Sequence, residues 1–124
     1  MLDKGAHILV IDDNRDILLM LKTMLTIKGY QVSVKDNIRE LQPSIKELKP
    51  DVILMDMLLS GADGREVCKE LRKNTAFAHI PIIMISAHSH VQEECIEAGA
   101  DYFMEKPFNM NNLIKIVEEA LKSF

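Results

Sequence analysis

No stretch of the chain approaches the ~18 to 20 consecutive apolar residues that a membrane span requires. The opening MLDKGAHILVIDD also lacks the long apolar segment and cleavage site of a signal peptide. These absences lead to the expectation of a cytoplasmic protein without membrane contact. Basic clusters are missing too. The net charge is -4 and the pI about 5.5, and no Lys/Arg patch or recognition helix provides the footprint of a nucleic-acid binder, so no direct nucleic-acid contact is expected. Cysteine is scarce. Cys68 and Cys95 fall in helical patterns without the spacing of a disulfide framework or a metal site, and are expected to be small buried thiols. Of the four histidines, His88 and His90 lack a third ligand and are expected as an exposed loop pair. His7 and His79 border strands. Repeats, low-complexity tracts and linkers are absent.

What the sequence does contain fits one folded domain: 124 residues, 48% hydrophobic, with a mean hydropathy near zero. The runs at 7–11 (HILVI), 52–55 (VILM) and 80–85 (IPIIMI) are short, nearly unbroken and rich in β-branched residues. That pattern belongs to strands covered on both faces, and such strands lie parallel in an α/β sheet. Residues 30–34 alternate as a further strand, and 101–104 complete the count at five.

Helical patterns separate the strands. Asn14 can cap a helix to about Lys28, with Leu18, Leu21 and Leu25 on one face and Gly29 as its stop. Asp63 with Glu66, and Ser89 with Gln92, have the spacing of capping boxes, and Gly99 closes the helix after Ser89. Pro43 cannot sit inside a long helix, so a turn and then a short helix from about Pro43 is expected. Leu113, Ile116, Val117, Ala120 and Leu121 mark the packed face of the last helix, and Lys115, Glu118, Glu119 and Lys122 its solvated side. Right-handed crossovers place these helices on both faces of the sheet.

The polar residues at the strand ends carry the chemistry. Asp12-Asp13, Asp56 and Ser86 each follow an apolar run immediately, and Lys106-Pro107 follows the last one. Ligands of open parallel sheets bind outside the carboxyl ends of the strands, so these groups converge on one pocket. Two carboxylates ~4 Å apart repel by about 4 kcal/mol at an effective dielectric of ~20. Three of them against one ammonium therefore call for a divalent cation. As ordinary strand-end turn residues they would have no reason to converge.

Taken in order and spacing, Ile11-Asp12-Asp13-Asn14, Leu54-Met55-Asp56-Met57, Gly64, Ser86-Ala87, Gly99-Ala100-Asp101 and Lys106-Pro107-Phe108 resemble the receiver domain of two-component response regulators. The resemblance covers residues 6–124. It implies a flavodoxin-like, doubly wound, five-stranded parallel sheet of order 2-1-3-4-5, with the whole chain, 1–124, as one receiver domain and no output domain. It implies that Asp56 is the phosphoacceptor, a carboxylate nucleophile charged by a sensor histidine kinase or a phosphotransfer protein. Asp12, Asp13, Asp56 and the backbone carbonyl of Leu58 would hold Mg2+. Lys106 would hold the incoming phosphate as a point charge, and Ser86 would donate its hydroxyl to a phosphoryl oxygen. Beyond self-catalysed phosphotransfer and dephosphorylation, no enzyme activity is implied.

Ser86 and Phe103 occupy the family's switch positions, and Tyr102, facing the other way, is a packing residue. The resemblance implies that the fourth helix, fifth strand and fifth helix change shape on phosphorylation. They would then bind an effector, an output domain or a second copy near Val91, Glu94, Phe103 and Lys115. A cis peptide is expected at Lys106-Pro107. One departure stands out: after Asp56 the chain reads MLLSGADG, so the proline usual at position 60 is replaced by serine, and a looser turn is expected. Leu58 and His88 occupy positions that influence phosphoryl lifetime in the family, and Leu58 is bulky enough to shield an acyl phosphate. Two alternative families fit the residues less well. An aspartate-nucleophile phosphatase of the haloacid-dehalogenase type needs its two aspartates separated by one residue, whereas Asp12 and Asp13 are adjacent. A flavodoxin-like flavin binder would have its phosphate repelled by Asp12-Asp13-Asn14.

Overall fold

Alternation inside the apolar runs decides the layering of the fold. The computed structural model describes residues 5–122; residues 1–4 of the opening segment, and 123–124 at the end of the family resemblance, lie outside the described residues. In chain order the elements are β1 (His7–Ile11), α1 (Arg15–Ile27), β2 (Gln31–Lys35), α2 (Leu41–Leu48), β3 (Val52–Asp56), β4 (Leu58–Leu59), β5 (Ala62–Asp63), α3 (Gly64–Lys73), β6 (Ile82–Ser86), α4 (Gln92–Glu97), β7 (Tyr102–Glu105) and α5 (Met110–Leu121). The main sheet has five strands in the order β2-β1-β3-β6-β7, and every neighbouring pair is parallel. Counting only its own strands, this is the expected 2-1-3-4-5 order.

Because successive side chains of a strand point to opposite faces, each apolar run feeds two cores. Leu9, Ile11, Ile53, Met55, Ile82 and Met84 pack with α2, α3 and α4 through Ile45, Cys68, Leu71 and Cys95. Ile8, Val10, Val52, Leu54, Ile83 and Ile85 pack with α1 and α5 through Leu21, Leu25, Leu113 and Val117. Side chains such as Leu21 and Leu25 are completely buried, and each contributes about 1.5–3 kcal/mol relative to exposure. No helix among the described residues is long and apolar enough to cross a membrane.

The helix ends follow local chemistry, with four corrections. Asn14 caps α1 through its side chain, which accepts from the amides of Asp16 and Ile17, and Gly29 ends it at φ 98°. α2 starts at Leu41, two residues before the expected Pro43; proline is tolerated there because the first-turn amides have no intrahelical acceptor. Asp63 caps α3 by accepting from the amide and guanidinium of Arg65, while Glu66 pairs with Lys69 and does not complete a box. Ser89 is no cap: Ser89–Val91 forms a 3-10 turn ahead of α4. On α5, Ile114 joins the expected face, with Ile116 and Leu121 partly buried against the same core.

The fourth correction bears on the site. The loop after Asp56 is not loose. Leu58 pairs with Asp63 and Leu59 with Ala62 as a two-residue hairpin, with Gly61 supplying the φ of +74° at its tip. Gly64 then donates its amide to the Met57 carbonyl at 2.6 Å, and a Cβ on Gly64 would lie 2.7 Å from the Asp56 carbonyl oxygen. Serine at position 60 leaves the turn intact because Gly61, not residue 60, takes the demanding conformation.

Candidate functional site

Asp12, at the end of β1, and Asp56, closing β3, are neighbours because β1 and β3 pair in register, Ile11 opposite Met55. Asp13 lies at the solvent-facing rim. One carboxylate oxygen from each of the three lies within 4.8 Å of the others. Lys106 reaches the same point because its amide donates to the Ser86 carbonyl at 2.8 Å, extending the β6–β7 ladder by one residue. Its Nζ stands 3.4 Å from Asp56 Oδ2 and 3.6 Å from Asp12 Oδ2. Lys106-Pro107 is cis, as expected.

The cluster is buried and short of partners. Asp12 is 1% exposed and Asp56 8%. Asp12 Oδ1 accepts from the Asn14 amide at 2.9 Å, but its buried Oδ2 has no hydrogen-bond partner. Leaving such an atom unsatisfied costs about 1–3 kcal/mol. Asp56 Oδ1 receives only a long contact, 3.4 Å, from the Leu58 amide. Burial pushes the Asp56 carboxyl above its ordinary range, and the Asp12 charge pushes it further, against the pull of Lys106 and the Leu58 amide. Three hard oxygen donors, one of them without a hydrogen bond, fit a cation such as Mg2+; among the described residues no imidazole or thiolate joins them to favour a softer metal.

Ser86 ends β6 at 1% exposure, its Oγ accepting from the His88 amide at 3.0 Å. Phe103 lies half-buried against the α2–α3–α4 core, opposite Met84 in register. Tyr102 packs on the other face and donates its hydroxyl to the Glu119 carbonyl at 3.2 Å. Leu58 is 54% exposed. Val91, expected on a docking surface, is buried in the core because the 3-10 turn directs it inward. Glu94 is exposed but paired with Arg65 of α3. Lys115 is exposed. His88 and His90 are exposed, with ring centroids 5.5 Å apart. Cys68 and Cys95 are free, buried thiols; burial pushes Cys68 up to about 11 and raises Cys95 as well.

Two contacts escaped sequence reasoning. Ser60 Oγ donates to Asp13 Oδ2 at 2.7 Å, and His7 bridges Ser33 Oγ at 2.7 Å and the Leu48 carbonyl at 3.0 Å. The only signal for the first was the missing proline; the second had none.

Comparison with known proteins agrees with this geometry. The family model described as the response regulator receiver domain matches residues 8–118. The chain is 38% identical over 123 residues to the transcriptional regulatory protein KdpE of Staphylococcus aureus, a match covering 95% of the chain and 52% of that protein. The chain spans about half the length of the curated relatives it matches. Among solved structures, a putative response regulator from Chloroflexus aurantiacus superposes with a TM-score of 0.89 at 30% identity, over 95% of this chain and 98% of that one. The receiver domain of a sensor histidine kinase from Pseudomonas aeruginosa, solved with a magnesium ion coordinated in its active site cleft, has a TM-score of 0.87 at 29% identity, over 96% and 99%.

Proposed function

Because this chain belongs to the response regulator receiver domain family, we propose that Asp56 is its phosphoacceptor in a phosphorelay, charged by a sensor histidine kinase or a phosphotransfer protein. The observation that carries the assignment is a buried, under-bonded carboxylate at the end of β3, held 3.4 Å from Lys106 beside an Asp12 oxygen that lacks a hydrogen bond. A carboxylate oxygen of Asp56 attacks phosphorus, an acyl phosphate forms, and the phosphorus–nitrogen bond to the donor imidazole breaks. Lys106 neutralises the arriving phosphoryl oxygens as a point charge, and the Ser86 hydroxyl donates to one of them. Asp12, Asp13, Asp56 and the Leu58 carbonyl hold a magnesium ion, whose chemistry when bound is to neutralise charge on the phosphoryl oxygens. The chain is a receiver and no classical enzyme; the activity proposed for it is limited to its own phosphotransfer and dephosphorylation. The family match leaves the phosphatase and flavin-binder alternatives without support.

Output follows as a population shift between two packed states. Ser86 moves toward the phosphoryl group and Phe103 turns further into the core. The α4, β7 and α5 surface changes, with exposed Glu94 and Lys115 as contact points in place of buried Val91. The described residues act as one cytoplasmic receiver unit, and its signal passes by protein contact, to an effector, an output domain or a second copy. Incubation with acetyl phosphate and magnesium, followed by intact mass measurement, should show a single phosphoryl adduct that Asp56→Asn abolishes. An adduct persisting in that variant contradicts the assignment.

A further inference from the structure

We infer that Ser60 is a positioning residue for Asp13, its hydroxyl fixing the rim carboxylate in the orientation that completes the cation site. The inference rests on the proposed role of Asp13 as a cation ligand. Ser60 Oγ donates to Asp13 Oδ2 at 2.7 Å across 47 residues of sequence. That length marks a charge-assisted hydrogen bond. It joins the two walls of the pocket, the loop after β1 and the tip of the β4–β5 hairpin.

Asp12 and Asp56 are held by burial in the sheet, and Asp12 also by the Asn14 amide. Asp13 has neither restraint. Among the described residues, Ser60 is the one hydrogen-bond donor to its carboxylate. The donor itself stands on a firm support. The hairpin is closed by the Leu59–Ala62 pair and anchored at its base by the 2.6 Å bond from the Gly64 amide to the Met57 carbonyl. The backbone of Gly64 packs so closely under Asp56 that any side chain there would collide with it. Ser60 is therefore fixed relative to Asp56, and through its hydroxyl so is Asp13. A donor to one oxygen leaves Oδ1 and the remaining lone pair of Oδ2 for a cation, the usual arrangement by which an outer hydrogen bond orients a metal-binding carboxylate.

Proline, the residue usual at this position in the family, has no hydroxyl to donate. It does fit the backbone, since position 60 precedes the positive-φ glycine of the turn. Serine thus replaces a rigid turn residue with a hydrogen-bond donor, and the two functions can be separated by substitution.

The test is a titration of the isotope-labelled full chain with magnesium chloride, followed by amide chemical shifts. The wild type is compared with Ser60→Ala, Ser60→Thr, Ser60→Pro and Asp13→Ala, and unfolding midpoints are measured without magnesium as a control. Ser60→Ala should weaken magnesium binding by about 10-fold, the lower end for loss of an outer-sphere partner, with an unchanged metal-free midpoint. Ser60→Thr, which keeps the hydroxyl, should bind like the wild type, and Ser60→Pro should stay as weak as Ser60→Ala. Wild-type affinity in Ser60→Ala or Ser60→Pro, while Asp13→Ala loses it, overturns the role of the hydroxyl but leaves the cation site standing. If the wild type shows no saturable magnesium response, or Asp13→Ala binds as it does, the cation site itself fails and this inference with it.

Discussion

At the amino-terminal edge of the sheet, Arg72 donates from Nε to the Gly99 carbonyl (2.8 Å), from one terminal nitrogen to the carbonyls of Ala78 (3.0 Å) and Ile80 (2.8 Å), and from the other to Asp101 Oδ2 (2.6 Å). Asp101 in turn accepts from the Ile82 amide at 2.9 Å. At the carboxyl edge, Lys106 stands 3.4 Å and 3.6 Å from two carboxylates, and one buried oxygen has no hydrogen bond. Both edges hold a cation among acids, yet only one network is saturated. Bonds of 2.6–3.0 Å that use a guanidinium's several donors make Arg72 a brace between α3 and the starts of β6 and β7. Long contacts around crowded carboxylates leave a repulsion that the proposed cation would relieve. Residue type does not separate structure from function here; the number of satisfied bonds does.

The largest effect should come from breaking the brace. Arg72→Ala leaves three backbone carbonyls without this donor and Asp101 with only the Ile82 amide, and should lower the unfolding free energy by about 3 kcal/mol, read from urea denaturation. A loss below about 1 kcal/mol, the scale of a surface ion pair, would remove the contrast between the two edges. Gly64→Ala comes next. The added Cβ would meet the Asp56 carbonyl oxygen at 2.7 Å and Met57 Cα at 3.0 Å, both backbone, so a destabilisation of about 2 kcal/mol is expected, together with shifts in the amides of residues 56–58.

At the carboxyl edge the sign should reverse. Asp12→Asn keeps the acceptor for the Asn14 amide and removes one repelling charge, so the magnesium-free protein should gain about 1 kcal/mol at neutral pH. A loss comparable to that of Arg72→Ala would show the pocket to be as structural as the brace.

The smallest effect is in pH. The Asp56 carboxyl is raised above its ordinary value of 3.8, so between the two values the folded state keeps a proton that the unfolded chain releases. Its contribution to stability is complete below the unfolded value and is lost as pH rises through the raised one. Asp63, lowered chiefly by its hydrogen bonds from the Arg65 side chain, acts in the opposite sense: its contribution is present above 3.8 and disappears as pH falls below it. Metal-free Asp56→Asn should therefore lose the decline that the wild type shows on the alkaline side of 3.8, while keeping the acid loss from Asp63. Parallel curves for the two proteins would contradict this.

The sheet was legible because strands buried on both faces must be apolar throughout, and the acids ending them stand out against such runs. Strand ends of a parallel sheet share one edge, so the meeting of Asp12, Asp13, Asp56 and Lys106 was legible too. What stayed hidden depended on distances between separate loops. Ser60 and Asp13 meet only because a hairpin forms, and serine at position 60 read as the loss of a rigid residue. Arg72 binds main-chain carbonyls, which leave no trace in residue identities. Val91 was misplaced because a 3-10 turn of three residues rotates the start of α4, a shift too short for any periodic pattern to register.

The central claim is that the unsaturated carboxyl edge awaits a cation, and its most direct test is the unfolding free energy measured across a magnesium titration. The wild type should gain stability with the logarithmic dependence of a ligand that binds only the folded state, and Asp13→Ala should show most of that gain lost. A wild type indifferent to magnesium, or a variant that gains as much, would contradict the account.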